Sequence, residues 1–236
     1  MKYLSTINNI YKLNYYFSLI LFIFLLRKAY RTSRSMSFKQ PSLLDLGTPE
    51  INPGFSGIQR TELGEGAWVD YLPQWLKGHR KIHEKLHRTT CWRRQERQMY
   101  DQVVEVPRLI ARLPDDGPGH PLINQMAEAL SVRYGVVFDS FMLAWYRDGR
   151  DSVSWHGDKL KDKVEAHVAT VSTGSPRSFR IRLLSGGPSH DFSLGWGDLL
   201  VMGGSCQQTC EHTVPKVSIA DPRITIMFRH HYELII

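Results

Sequence analysis

Cysteine is scarce in this chain, with three residues (Cys91, Cys206 and Cys210) among 236. Three thiols are too few, and odd in number, for a disulfide framework; they fit a reducing, cytoplasmic compartment. Internal repeats of fixed period are missing, as are long low-complexity segments, which excludes a solenoid or an array. Surplus positive charge is missing too, once the two ends are separated. The formal net charge is +7, but residues 1–35 hold six of the 30 Lys and Arg and no acid, leaving 24 basic against 23 acidic residues. Global charge therefore says little about a nucleic-acid partner. Local charge says more, since Lys77 to Arg97 carries eight Lys or Arg, two Glu and three His. Such a block reads equally as a solvated helix face or as a phosphate-binding surface.

A long hydrophobic run is also wanting. Leu13 to Leu26 is free of charge but spans only 14 residues, whereas a membrane helix needs about 18–20. No small-residue cleavage site follows it, which disfavours a secretory leader. The preferred reading starts translation at Met36. The rival keeps residues 1–35 as a membrane anchor with basic residues on its cytoplasmic side.

What is present changes grammar at Gly135. Before it, Pro41 to Gly57 is turn-rich and extended, and a helical region follows with Trp75, Leu76, Ile82 and Leu86 as its apolar stripe. PLINQMAEALSVRYG (Pro121 to Gly135) opens on Pro, closes on Gly and spaces Leu122, Met126 and Leu130 one turn apart, which predicts a helix. Afterwards come short apolar runs between Gly, Pro, Ser and Asp. FMLAWY, the Asp148-Gly149 turn and SVSWHGD predict a hairpin. HVATVS, SFRIRLL, DFSLGW, DLLVMGG, EHTVPKV and RITIMFRHH read as further strands. The pattern predicts an α+β fold, mainly β, as a sandwich or jelly roll with helices packed on one side.

Read with period two, SVSWHGD puts Ser154, His156 and Asp158 on one face and Val153 and Trp155 on the other. A half-buried strand has no need of an imidazole beside a carboxylate, but a metal does. A non-haem Fe(II) oxygenase site takes two His and one carboxylate on one face of the metal and leaves positions open. His212 in CEHTVPK is the best-placed third ligand. In RITIMFR, Arg223, Thr225, Met227 and Arg229 share one face, and Ile224, Ile226 and Phe228 share the other. Two guanidiniums on such a strand call for carboxylates, either from a dicarboxylate co-substrate or from an internal Arg–Asp pair.

Other patterns carry less. HEKLH (His83 to His87), with His79 one turn earlier, matches the H-E-x-x-H zinc pattern. Lys81, Lys85 and Arg88 nevertheless make that helix a poor buried metal site. Cys206 and Cys210 lie near His212 but read as small buried hydrophobes. QPSLLDL (Gln40 to Leu46) reads as a flexible leader rather than a docking peptide.

The ordered set of H-x-D (His156, Asp158), GDLLVMGGSCQQTCEHTVPK with its His212, and R-x-T-x-x-x-R (Arg223 to Arg229) resembles the AlkB family of 2-oxoglutarate and Fe(II)-dependent dioxygenases. The likeness runs from about Trp92 to His231. YRDG…WHGD is similar to the family's first ligand strand, and VPRL (Val106 to Leu109) to the segment after its nucleotide-recognition lid. The resemblance implies a double-stranded β-helix (jelly roll) in a single domain over residues 36–236. Within it, residues 36–106 would form N-terminal helices and lid, and 107–236 the core. It implies iron bound by His156, Asp158 and His212. It also implies 2-oxoglutarate held by Tyr146, Arg223, Thr225 and Arg229, with Arg223 on the distal carboxylate. Met99, Tyr100, Arg108 and Trp155 would contact the target base or its neighbours.

The activity implied is oxidative demethylation of N-alkylated bases by a monomer, consuming O2 and releasing formaldehyde, succinate and CO2. Single-stranded DNA or RNA is the expected partner, or a duplex after base flipping. No protein acid or base is implied beyond the metal ligands. An inert nucleic-acid-binding relative stays open, as does the same chemistry on a protein or small molecule. In four respects the chain departs from the family pattern. Asn commonly stands where this chain has Ala144 and Thr225, Trp where it has Cys210, and an acid just after H-x-D where it has Lys159 and Leu160. The first two remove amides near the co-substrate and point to weaker binding; the last bears on which base is preferred.

Overall fold

Short apolar runs build two large antiparallel sheets and a small two-stranded one in the computed structural model, which describes residues 47–99, 102–157 and 166–229. The apolar run near the start, Met36 and QPSLLDL lie outside the described residues, as do Tyr100, Asp158, Lys159 and Leu160. The described residues fall within one unit, Pro41–Ile236. None of their helices is long and apolar enough to cross a membrane.

The chain begins with β1 (Glu50–Ile51), β2 (Gln59–Gly64), β3 (Ala67–Leu72), β4 (Leu76–Lys77) and helix α1 (His79–Thr89). A long pair follows, β5 (Arg93–Met99) and β6 (Gln102–Leu113), then helix α2 (Leu122–Tyr134), β7 (Ser140–Tyr146) and β8 (Val153–His156). The remainder is β9 (Val168–Gly174), β10 (Arg177–Leu183), β11 (His190–Leu194), β12 (Leu199–Gly204), the short α3 (Cys206–Thr209), β13 (Cys210–Val214) and β14 (Arg223–Arg229). Eight strands make the major sheet in the order β2-β3-β12-β9-β14-β7-β6-β5, and four make the minor sheet, β11-β10-β13-β8.

The central strands of the major sheet are buried on both faces. On the outer face, Ala169, Val171, Leu199, Val201, Ile224, Ile226 and Phe228 form one core with Ile82 and Leu86 of α1 and Ile123, Met126 and Leu130 of α2. On the inner face, Ala144, Val168, Leu200 and Met202 pack against Phe179, Ile181 and Leu194 of the minor sheet. Cys206 and Cys210 sit in this second core as small apolar side chains. Each large side chain so buried contributes roughly 1.5–3 kcal/mol. The result is a mainly β sandwich with its helices on one side.

Three local expectations need correction. The region after Gly57 is helical only from His79: residues 59–72 are the strand pair β2–β3, closed by Gly64, Glu65 and Gly66, all at positive φ. Trp75 and Leu76 precede the helix, Leu76 pairing with Ile51, and left-handed Gly78 sets off α1. FMLAWY and SVSWH do not form a hairpin either. β7 pairs with β14 and β6, whereas β8 pairs with β13 in the other sheet. The turn between them is closed on itself by a two-pronged Arg147–Asp151 ion pair and by Arg150–Asp148, so it hands the chain from one sheet to the other. Finally, β8 does not alternate strictly. Between the pairs His212↔His156 and Val214↔Val153 it holds one residue more than its partner, a bulge that returns Val153 to the side of His156.

The three imidazoles of α1 go separate ways. His79 is buried, His87 meets the Trp145 ring edge-on at 4.6 Å, and His83 Nδ1 lies 3.1 Å from Thr173 Oγ1. Thr173 gives its one hydroxyl hydrogen to the Ile224 carbonyl, so His83 Nδ1–H is the donor to Thr173. Burial, helped by the neighbouring His87 and His79, pushes the His83 pKa down to about 4. A folded value below the unfolded one means that the unfolded chain takes up the extra proton. Stability is therefore full above pH 6.5 and falls by about 3 kcal/mol as pH drops to 4. Denaturant unfolding of the wild type and His83→Gln across that range is expected to show this slope in the wild type and its loss in the variant.

Candidate active site

A cavity lies between the inner faces of the two sheets. β14 supplies Arg223, Thr225, Met227 and Arg229 to it, the four residues of one strand face. Facing partners on β7 follow from the register, which sets Arg223 opposite Tyr146 and Thr225 opposite Ala144. Ala144 and Thr225, the two positions where amides are commonly found in the family resembled, are thus direct neighbours and line the cavity together. From the minor sheet come His156, His212, Val153, Phe179 and Val214, and from the hairpin strand β6 comes Arg108.

The two histidines meet through β-sheet register. His212 pairs with His156 on one side and Ile181 on the other. Their rings lie 4.3 Å apart between centroids, and His212 stacks on Phe179 at 5.2 Å. His156 Nδ1 is 2.8 Å from the Ser154 carbonyl, which can only accept. Nδ1 therefore carries the proton in the neutral ring, and Nε2 carries the lone pair that a metal needs. Asp158 lies outside the described residues.

Arg223 is 1% exposed, one of the largest fully buried side chains. One Nη donates to Ser172 Oγ at 2.8 Å, while Nε is buried without a hydrogen-bond partner. No described carboxylate pairs with it, so no internal Arg–Asp pair accounts for it among the described residues. Burial lowers its pKa to about 10, and the charges of Arg177 and Arg108 push the same way. Among the described residues the cavity lining holds three guanidiniums and no Asp or Glu. Thr225 Oγ1 is likewise buried without a partner. This donor-rich, acceptor-poor lining fits a dianion, and the imidazole pair fits a divalent metal beside it.

Tyr146 is gripped from several sides. Its ring centroid is 5.2 Å from the Arg223 guanidinium and 5.7 Å from that of Arg177. Arg177, 3% exposed, donates to the carbonyls of Asp148, Asp151 and Pro215. It thereby ties the turn before β8 to the loop after β13, the strands that carry the two histidines.

Of the residues expected to meet a base, Arg108 lines the cavity, and Met99 ends β5 opposite Gln102. Trp155 is not brought to the cavity. It lies on the opposite side of β8 from His156, with the Arg182 guanidinium 4.1 Å above its ring, and Arg182 is held by Glu211. Ser172, the Arg223 partner, was not among the residues singled out in the sequence. Its signal is there in HVATVS, where Thr170 and Ser172 share the inner face of an otherwise apolar strand. The basic block divides as well. Its α1 part covers the outer face of the major sheet, away from the cavity, while exposed Arg93 and Arg94 begin the β5–β6 hairpin.

Residues 60–229 match the model of the 2OG-Fe(II) oxygenase superfamily. An uncharacterized protein, R406, of Acanthamoeba polyphaga mimivirus is 32% identical over 117 residues, 49% of this chain and 61% of that protein. The chain thus spans less than two thirds of that relative. The alpha-ketoglutarate-dependent dioxygenase alkB homolog 3 of Bos taurus is 29% identical over 211 residues, 79% of this chain and 71% of that one. The solved structure of OsALKBH1 superposes with a TM-score of 0.50 at 16% identity, covering 73% of this chain and all of that one, a likeness of fold.

Proposed function

Because the chain belongs to the 2OG-Fe(II) oxygenase superfamily, whose enzymes use Fe(II), 2-oxoglutarate and O2, we propose that it removes methyl groups oxidatively from N-alkylated bases in single-stranded nucleic acid, with DNA as the first candidate. The observation that carries the oxygenase reading is the buried Arg223, which has one hydroxyl partner and shares its cavity with the His156–His212 pair. Kinship with alkB homolog 3 and the exposed arginines at the base of the β5–β6 hairpin support a nucleic-acid substrate.

In this reading His156, His212 and Asp158 hold the iron, and Arg223 fixes the distal carboxylate of 2-oxoglutarate. Tyr146 and Thr225 offer hydroxyls to the co-substrate, and Arg229 closes the far end of the same strand face. Held by these residues, Fe(II) would supply with 2-oxoglutarate and O2 the chemistry that hydroxylates an N-methyl group while the co-substrate goes to succinate and CO2. The N-hydroxymethyl product then releases formaldehyde without a side-chain acid or base. What the protein contributes is placement and a dry wall: Val168, Phe179, Met202 and Val214 line the cavity with apolar surface. A base inside a duplex must first leave the stack, so single strands are the easier substrate.

The test supplies the full chain with Fe(II), 2-oxoglutarate and single-stranded DNA or RNA, methylated or not, and measures formaldehyde and succinate. Formaldehyde is expected only with methylated strands and intact His156, and not from His156→Ala. Succinate without formaldehyde on every strand would move the substrate to a protein or small molecule. Neither product, with iron bound, would mark an inert binder.

A further inference from the structure

We propose that Arg108 is a positioning residue for the co-substrate: from a bulge in the hairpin strand β6 it orients the Tyr146 hydroxyl so that the phenol's hydrogen is directed at the bound anion. The inference rests on the reading of the cavity as the 2-oxoglutarate site and concerns how that site is completed.

Arg108 Nη1 lies 3.0 Å from the Tyr146 hydroxyl oxygen. A guanidinium has only donors, so the phenol oxygen accepts and its own hydrogen is left to serve another group. No described residue takes that hydrogen, and the described lining of the cavity that Tyr146 faces holds three guanidiniums and no carboxylate. An acceptor must come from outside the described residues, and an anion is the acceptor that this lining favours. Accepting a bond from a cation also polarises the phenol and makes it the stronger donor. Arg108 Nε is itself buried without a partner.

Backbone geometry supplies the second line. β5 and β6 pair regularly from Arg97↔Val104 to Gln95↔Val106, and the next pair is Arg94↔Leu109. Pro107 and Arg108 are therefore extra residues on β6, a bulge of the kind that re-aims a side chain. The bulge is anchored, since the Pro107 carbonyl accepts from the Ser152 amide at 2.7 Å, in the turn that leads to β8. It also marks the point where β6 leaves β7, whose ladder with β6 starts at Leu109↔Trp145. Arg108 thus joins the projecting half of the hairpin to the tyrosine that faces Arg223 across the β7–β14 ladder.

The experiment is a double-mutant cycle on 2-oxoglutarate affinity. It is measured by calorimetry without turnover, with Mn(II) in place of iron, in wild type, Arg108→Met, Tyr146→Phe and the double variant. Each single variant is expected to weaken binding about 10- to 100-fold, the span of one hydrogen bond involving a charged group. The double variant is expected to bind no worse than the weaker single one, and Arg108→Lys, which keeps a donor, to recover part of the loss. Multiplying losses would overturn the proposal by making Arg108 an independent contact. Unchanged affinity in a folded Arg108→Met or Arg108→Gln protein would overturn it by making the bond merely structural. Arg223→Met separates the two levels. If it leaves affinity intact, the cavity reading fails and this proposal falls with it. If it abolishes binding while the cycle multiplies, the Arg108 proposal alone falls.

Discussion

Arg223→Met is expected to raise the melting temperature of the ligand-free protein while abolishing its stabilisation by 2-oxoglutarate. The two effects have one cause. Arg223 is 1% exposed and hydrogen-bonds one serine hydroxyl. Its pKa is lowered to about 10 by burial, so near neutral pH the folded protein holds a cation that it disfavours. A shift of that size costs about 3 kcal/mol. Met has a similar linear shape and no charge, so it recovers much of this, less the bond to Ser172. The same missing charge removes the partner of the co-substrate carboxylate. Losing one member of a buried charged pair costs roughly 2–5 kcal/mol, which is about 30- to 4,000-fold in affinity. Arg223→Lys keeps the charge but not the planar fork, and is expected to bind weakly. Thermal unfolding of each variant with and without 2-oxoglutarate checks both halves. A destabilised Arg223→Met that still responds to 2-oxoglutarate would contradict them.

The second large effect is on the metal. His156→Ala is expected to weaken Fe(II) or Co(II) binding by more than the roughly 10–100-fold that loss of an outer-shell partner costs. His212→Gln is expected to do the same while keeping the volume packed against Phe179. His83→Gln, on the helix that carries the H-E-x-x-H pattern, is expected to leave metal affinity alone, because His83 is committed to Thr173. Anaerobic equilibrium dialysis of the three variants decides the matter. Loss in His83→Gln with retention in the other two would move the metal to α1.

Where the sequence could be read, one face of an element carried one kind of environment. The four residues Arg223, Thr225, Met227 and Arg229 line the cavity, as period two requires, and Ile224, Ile226 and Phe228 are buried on the other side. α2 was equally plain, with a left-handed Gly135 at its end. His156 and His212 are far apart in the chain: the chemistry of a metal site makes His212 the best-placed partner in the sequence, the resemblance to a family joins the two, and register brings them together.

What was hidden depended on tertiary structure. β2 and β3 lack a clean alternation because Asp70 is buried within β3, where it is paired with Arg60. The Asp148-Gly149 signal marks a turn but cannot say that the chain changes sheets there. Bulges leave no residue signature: alternation puts Trp155 opposite His156, where the structure has it, but it misplaces Val153 and assigns no face to Arg108. The resemblance implies a base contact for Arg108, whereas its bond to Tyr146 arises from the bulge at Pro107–Arg108.

The central claim is that metal and co-substrate share one cavity, spanning from the His156–His212 pair to Arg223. The measurement that tests it most directly is an anaerobic titration of the full chain with 2-oxoglutarate, with and without Fe(II). If one ligand bridges the metal and Arg223, ferrous ion should tighten 2-oxoglutarate binding by a factor in the usual coupling range, roughly 5–150-fold. It should do so reciprocally, with 2-oxoglutarate tightening iron by the same factor. Affinities for the two that are independent of each other would contradict the account.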